Sequence, residues 1–119
     1  GHDKNSTKET GRMIRQTTKY FVDKAIEDEL HYAVTERPMF HSDHEAWAIL
    51  NEELEEAWIE YMSAEDIHMQ MWDAIKADEH EEVLKQRDEM LKKIELAIAE
   101  LVQCAAMLEK FDMRKGEEE

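Results

Sequence analysis

The stretch HSDHEAWAILNEELEEAWIEY, His41 to Tyr61, decides how the rest of the chain is read. It opens on Ser42-Asp-His-Glu45, an S-x-x-E capping box, in which a hydroxyl and a carboxylate satisfy the free N–H groups of a new helix. A periodic run follows directly, so a helix is predicted from about Asp43. On a wheel of about 100° per residue, Trp47, Leu50, Leu54, Trp58 and Tyr61 fall in one stripe, the expected core face. Nearly opposite lie Ile49, Glu52, Glu56 and Ile59, with Glu53 between that group and the core stripe. A purely solvated face would not place an isoleucine above and below its acids. A second packed surface that holds carboxylates is therefore expected.

Upstream, Ser6-Thr-Lys-Glu9 reads as another capping box. The helix it opens carries Ile14, Phe21, Val22, Ala25, Ile26, Leu30 and Ala33 at helical steps and is stopped by Pro38. Residues 1–6 are expected to be a disordered, tag-like terminus, since Gly1 and His2 stand where an initiator Met would. Downstream, Ser63-Ala-Glu-Asp66 marks a new helix or a bend. A short helix is predicted over Ile67 to Ala77, a polar connection over Asp78 to Glu82, and a third long helix from about Val83 to Phe111. Residues 7–113 then form one all-α domain, and 114–119 an acidic, frayed tail.

The composition agrees. The chain has 119 residues, enough for one modest core, with 3 Gly and 1 Pro. A net charge of −15 leaves no basic footprint for nucleic acid and disfavours anionic membrane surfaces. It still permits a polyphosphate substrate if metal ions bridge protein and phosphate. No apolar run approaches membrane length and no signal peptide is visible. With one cysteine, Cys104, an internal disulfide is impossible, and a reducing, cytoplasmic location is expected.

The third helix repeats the two-faced pattern of the second. Val83, Met90, Ile94, Ala97, Leu101, Ala105 and Leu108 make the expected core stripe. To one side run Leu96, Glu100, Gln103 and Met107. If the two second faces meet, Glu52, Glu53, Glu56, Glu100 and Gln103 converge in a partly buried spot. Like charges and desolvation both oppose ionisation there, and a divalent cation is the natural remedy. An all-oxygen cluster suits a hard ion, Mg²⁺ or Mn²⁺. By itself EExxE is a weak signal in so acidic a chain, because acidic helix faces are usually solvated.

Three segments, FHSDHEAWAILNEELEE (Phe40 to Glu56), MWDAI around Trp72, and ELVQCAAM (Glu100 to Met107), occur in this order. Together they resemble the all-α nucleoside triphosphate pyrophosphohydrolases of the MazG-like family, in particular the small versions of bacteria and their phages. The resemblance spans about Phe40 to Phe111. It implies a four-helix-bundle-like assembly formed as an oligomer. It also implies Mg²⁺-dependent hydrolysis of a (d)NTP between the α- and β-phosphates. The family pattern is EExxE followed by ExxD. Carried over, Glu52, Glu53 and Glu56 are the first motif, with metal-binding and catalytic roles, and Glu100 begins the second. Position 103 departs from the pattern. Gln103 offers a carbonyl to a hard ion but no charge, which bears on metal affinity and on activity. Lys92, Lys93 and Lys76 are candidates to meet the remaining phosphate charge, and Phe40 to stack on a base; Trp47 reads rather as packing.

Other constellations are weaker. His41-x-x-His44 has no evident third zinc ligand, and HExxH is absent. Glu65-Asp-Ile-His68 is one ExxH, whereas a ferritin-like di-iron site requires two, so only a symmetric dimer supplies the second. Cys104 reads as a buried structural thiol. Helices with two apolar faces each cannot bury everything in a chain of this length. A homodimer or a dimer of dimers, with the site near the interface, is expected. The competing functional expectation is a helical oligomer or interaction module without chemistry, for which Gln103 is the feature in favour.

Overall fold

The computed structural model describes the backbone of residues 14–118 and the side chains of 14–111. The described residues form three helices and no strand: α1 (Gln16–Glu36), α2 (Asp43–Lys76) and α3 (His80–Glu118). The expected all-α class is correct. The Ser6–Glu9 capping box lies outside the described residues; α1 begins at Gln16, after Arg15 in extended conformation. It ends before Arg37, whose φ of −128° and ψ of 149° are the extended geometry that a following proline imposes.

The start of α2 is as read. Ser42 is the N-cap, and its Oγ accepts from the Glu45 N–H at 3.0 Å. Glu45 returns a carboxylate oxygen to the His41 N–H at 2.9 Å, one residue further back than a standard capping box. The short helix expected over Ile67 to Ala77 does not exist as a separate element. Asp43 to Lys76 is one helix without a break at Ser63, because no Gly or Pro interrupts it. The connection to α3 is also shorter than expected, covering only residues 77–79. It is a Schellman turn: the Glu79 N–H donates to the Ala74 carbonyl at 3.0 Å and the Asp78 N–H to that of Ile75 at 3.1 Å. Asp78 takes the left-handed position at φ 57°, where glycine is the usual occupant.

The packing overturns the expected core on α2 and keeps most of it on α3, where Val83, Met90, Ile94, Ala97 and Ala105 are buried or half-buried as expected. Trp47 is 64% exposed and Trp58 59%, and Leu54, Tyr61, Leu101 and Leu108 are exposed as well. The buried residues of α2 are instead Ala46, Ala57, Ala64 and Ala74, and α3 contributes Ala97, Cys104 and Ala106. The seam on α2 runs Ala46, Leu50, Glu53, Ala57, Glu60, Ala64, Ile67, Met71, Ala74, all buried or half-buried. On α3 it runs Val83, Gln86, Met90, Lys93, Ala97, Glu100, Cys104, Met107, Phe111. Both alternate steps of three and four, the 3.5-residue period of coiled-coil packing. Glu60 and Lys93, 3.9 Å apart, sit on these facing stripes. Small side chains let the two helices approach closely, and that favours an alanine face over an aromatic one. On α2 the wheel weighted residues by size and so chose the wrong side; on α3 the expected stripe shares Val83, Met90 and Ala97 with the seam. Within the described residues α1 packs on α3 and makes no comparable contact with α2.

Candidate functional site

The two seams carry acids as well as alanines. One oxygen from each of Glu53, Glu56 and Glu100 lies within 4.8 Å of the others. Glu53 and Glu56 occupy adjacent seam-side positions on α2, and Glu100 reaches them from α3, so helix pairing brings them together. Oε2 of Glu53 and Oε2 of Glu100 are buried without a hydrogen-bond partner, as is Oε2 of Glu60 one helical step away. Such orphaned acceptors are what a hard cation would satisfy.

The electrostatics record the crowding. Burial, then the charge of Glu56, raises the Glu53 carboxyl above the usual range; Arg37 opposes this, and Glu52 adds a smaller push upward. Glu100 is raised by burial first, then by its hydrogen bond with Glu56 and the charges of Glu56, Glu53 and Glu60. The Cys104 thiol is pushed up by burial and by Glu53 and Glu100. It is free and buried, as expected, and its environment suppresses the thiolate a nucleophile needs.

Glu53 is also a wall of a cleft of about 470 Å³. The cleft is bounded by the end of α1 (Glu29, Tyr32, Ala33), the connection through Arg37, Pro38, Phe40 and His41, the first turns of α2 (Glu45, Ile49), and Gln103, Met107 and Lys110 of α3. Its size is that of ordinary small-molecule sites. Lys110 is 3% exposed, and its ammonium donates to the Ala33 carbonyl at 3.1 Å and to the Pro38 carbonyl at 2.8 Å. The same ammonium lies 4.9 Å from the centre of the Phe40 ring, and Phe40 packs edge-on against Phe111 at 5.5 Å. Burial, then Arg37, holds the Lys110 pKa below its usual value.

Of the acids expected to converge, Glu53, Glu56 and Glu100 meet. Glu52 is exposed and outside the trio, although close enough to act on Glu53. Gln103 lines the cleft beside Glu53, and Phe40 is buried in the cleft wall. Trp47 points outward and lines nothing there. The lysines are elsewhere. Lys93 faces Glu60, and exposed Lys92 approaches Glu89 at 3.6 Å. Lys76 pairs with Asp73 at 3.6 Å at the far end of α2, about 30 Å of helix from Glu56. The cations of the cleft, Arg37 and Lys110, were missed. Neither carries a local signal, since Lys110 meets the Ala33 and Pro38 carbonyls only through the tertiary fold. His44, Glu65 and His68 are exposed, and none joins a metal-spaced group among the described residues. Among them, too, no helix is long and apolar enough to cross a membrane. Comparison with protein-family models, with curated proteins and with solved structures found no match for the chain.

Proposed function

We propose that the protein is a Mg²⁺-dependent nucleotide pyrophosphohydrolase of the MazG-like type, cleaving a (d)NTP to a (d)NMP and pyrophosphate. The observation that supports this most is the trio Glu53, Glu56 and Glu100, drawn from two helices to within 4.8 Å and opening through Glu53 onto a nucleotide-sized cleft. In this reading the three carboxylates hold Mg²⁺ or Mn²⁺, and the orphaned oxygens of Glu53 and Glu100 fit that role. The ion, when bound, supplies neutralisation of phosphate charge and a more acidic water. Water adds to the α-phosphorus, the bond to the bridging oxygen breaks, and pyrophosphate leaves. The proton passes to a carboxylate of the EExxE stretch. Arg37, at the cleft rim, takes the place that the sequence reading gave to Lys76, Lys92 and Lys93 in meeting phosphate charge.

The same proposal includes a second copy of the chain. Trp47, Trp58, Trp72, Ile98, Leu101 and Leu108 are all more than half exposed. Apolar surface on this scale marks an interaction face. Closed self-association would bury it and complete the four-helix arrangement.

The test is pyrophosphate release from the eight common NTPs and dNTPs with Mg²⁺ and with Mn²⁺, with orthophosphate counted separately and Glu53→Gln alongside. Pyrophosphate formed by the wild type and lost in the variant is the expected result. No release from any nucleotide would favour a helical assembly without chemistry.

A further inference from the structure

We propose that Gln103 is the specificity-determining residue of the cleft, its side-chain amide reading the hydrogen-bonding edge of the substrate's nucleobase rather than ligating metal. This rests on the nucleotide reading above and deepens it.

Glu100, Gln103 and Met107 share one stripe of α3. Gln103 lies about 4.5 Å along the axis from Glu100, on the side away from the α2–α3 turn. It lines the cleft, whereas Glu56 and Glu100 do not, and Glu53 stands between the two regions. Glu53 belongs both to the trio and to the cleft lining, so a nucleotide whose phosphates meet the acids has the cleft beside it for its base. The apolar residues Phe40, Ile49 and Met107 are among those that line that space.

In this cleft, whose lining also includes Glu29, Arg37, Glu45 and Lys110, the Gln103 amide makes no hydrogen bond with any described residue. It is half-buried, and neither its oxygen nor its nitrogen is among the sealed polar atoms without a partner, so both are open to a ligand. An amide presents one acceptor and two donors side by side. This matches an adjacent donor–acceptor pair on a base, the pairing glutamine makes with adenine in other settings. A carboxylate at this position would be acceptor-only and would add charge to a trio already crowded with it. A site built to hydrogen-bond a substrate group discriminates steeply against analogues that leave its own polar atoms unpaired.

The experiment compares wild type with Gln103→Leu and Gln103→Asp. It measures kcat/KM for the common (d)NTPs as a function of Mg²⁺, and binding of the corresponding nucleoside monophosphates in EDTA by calorimetry. The expected result is that Gln103→Leu shrinks the spread of kcat/KM between best and worst base by about tenfold or more. The Mg²⁺ concentration for half-maximal rate stays unchanged. Gln103→Asp changes the order of the bases. A wild type that treats all bases alike overturns the proposal, as does a Gln103→Leu protein that needs several-fold more Mg²⁺ while keeping the wild-type base ranking. If no triphosphate is hydrolysed, the pyrophosphohydrolase reading fails alone, provided the monophosphates still bind in a ranked order that Gln103→Leu erases. Absence of ranked binding overturns the inference as well.

Discussion

The Lys110 ammonium on α3 donates a 2.8 Å hydrogen bond to the carbonyl of Pro38, far from it in sequence, and a second to Ala33. These bonds tie the end of α1 and its connection to α3 and so shape one side of the cleft. Lys110→Met keeps the apolar stem and removes both bonds. With hydrogen bonds to charged groups worth about 1.5–3 kcal/mol each, loss of the two is expected to cost about 3–6 kcal/mol in urea unfolding, less the relief of no longer burying an ammonium. Amide hydrogen exchange should quicken in α1 before α2. Unchanged α1 protection would show that Lys110 does not hold it.

The raised carboxyls set a pH dependence. A carboxyl whose pKa rises on folding binds more protons in the folded state than in the unfolded. Its stabilising contribution is complete below the unfolded pKa and is lost as pH rises through the folded one. Burial raises Glu100, with its hydrogen bond to Glu56 next in importance. In EDTA, the melting temperature of wild type relative to Glu100→Gln should therefore fall as pH climbs from the ordinary glutamate range through the raised one. A difference that stays flat over that window would mean that Glu100 titrates normally.

Metal should reverse that loss. A ligand that binds only the folded state stabilises it by about 2.7 kcal/mol at a hundred times its dissociation constant. Millimolar Mg²⁺ or Mn²⁺ at neutral pH is expected to raise the melting temperature of wild type. Glu53→Gln and Glu100→Gln should each lose most of the shift, while Glu52→Gln, outside the trio, should keep it. Equal shifts in all four proteins would reduce the effect to nonspecific binding by an acidic surface.

The outward apolar face predicts assembly. Trp58 is 59% exposed and Leu101 53%. Light scattering at micromolar concentration should return at least twice the chain mass for wild type. The double variant Trp58→Lys, Leu101→Lys should return a smaller assembly or a monomer. A monomeric wild type would leave these residues without a partner and remove the interface from the proposal.

Close approach of α2 and α3 predicts intolerance of bulk at the seam. Ala64 is 1% exposed, and Ala64→Leu must push the helices apart, at about 1–3 kcal/mol in chemical denaturation. A leucine at an exposed position further from the seam, Asp66→Leu, should be near neutral.

Much of this was legible in the residues. Ser42 and Glu45 announced the start of α2 because a capping box is local chemistry, decided within four residues. Pro38 announced the end of α1 for the same reason. The convergence of Glu53, Glu56 and Glu100 followed from helical periodicity once the two acidic faces were paired. The expected break near Ser63 failed because a capping signal has no force inside a run that can continue as helix. The expected core of α2 failed because large apolar residues and small ones compete for the interior. Periodicity cannot say whether a stripe packs within the chain or waits for another surface.

The sequence by itself determined an all-helical chain, two of its boundaries and the acids that meet, since caps, breakers and periodicity act over a few residues. Only the tertiary structure decided which face of each helix is inside. That choice depends on how closely α2 and α3 can approach, and alanines such as Ala57 and Ala64 allow what Trp58 and Tyr61 would prevent. It alone also placed Lys110 and Arg37 at the cleft, because a lysine becomes a buried donor only when a distant segment brings its carbonyls to it.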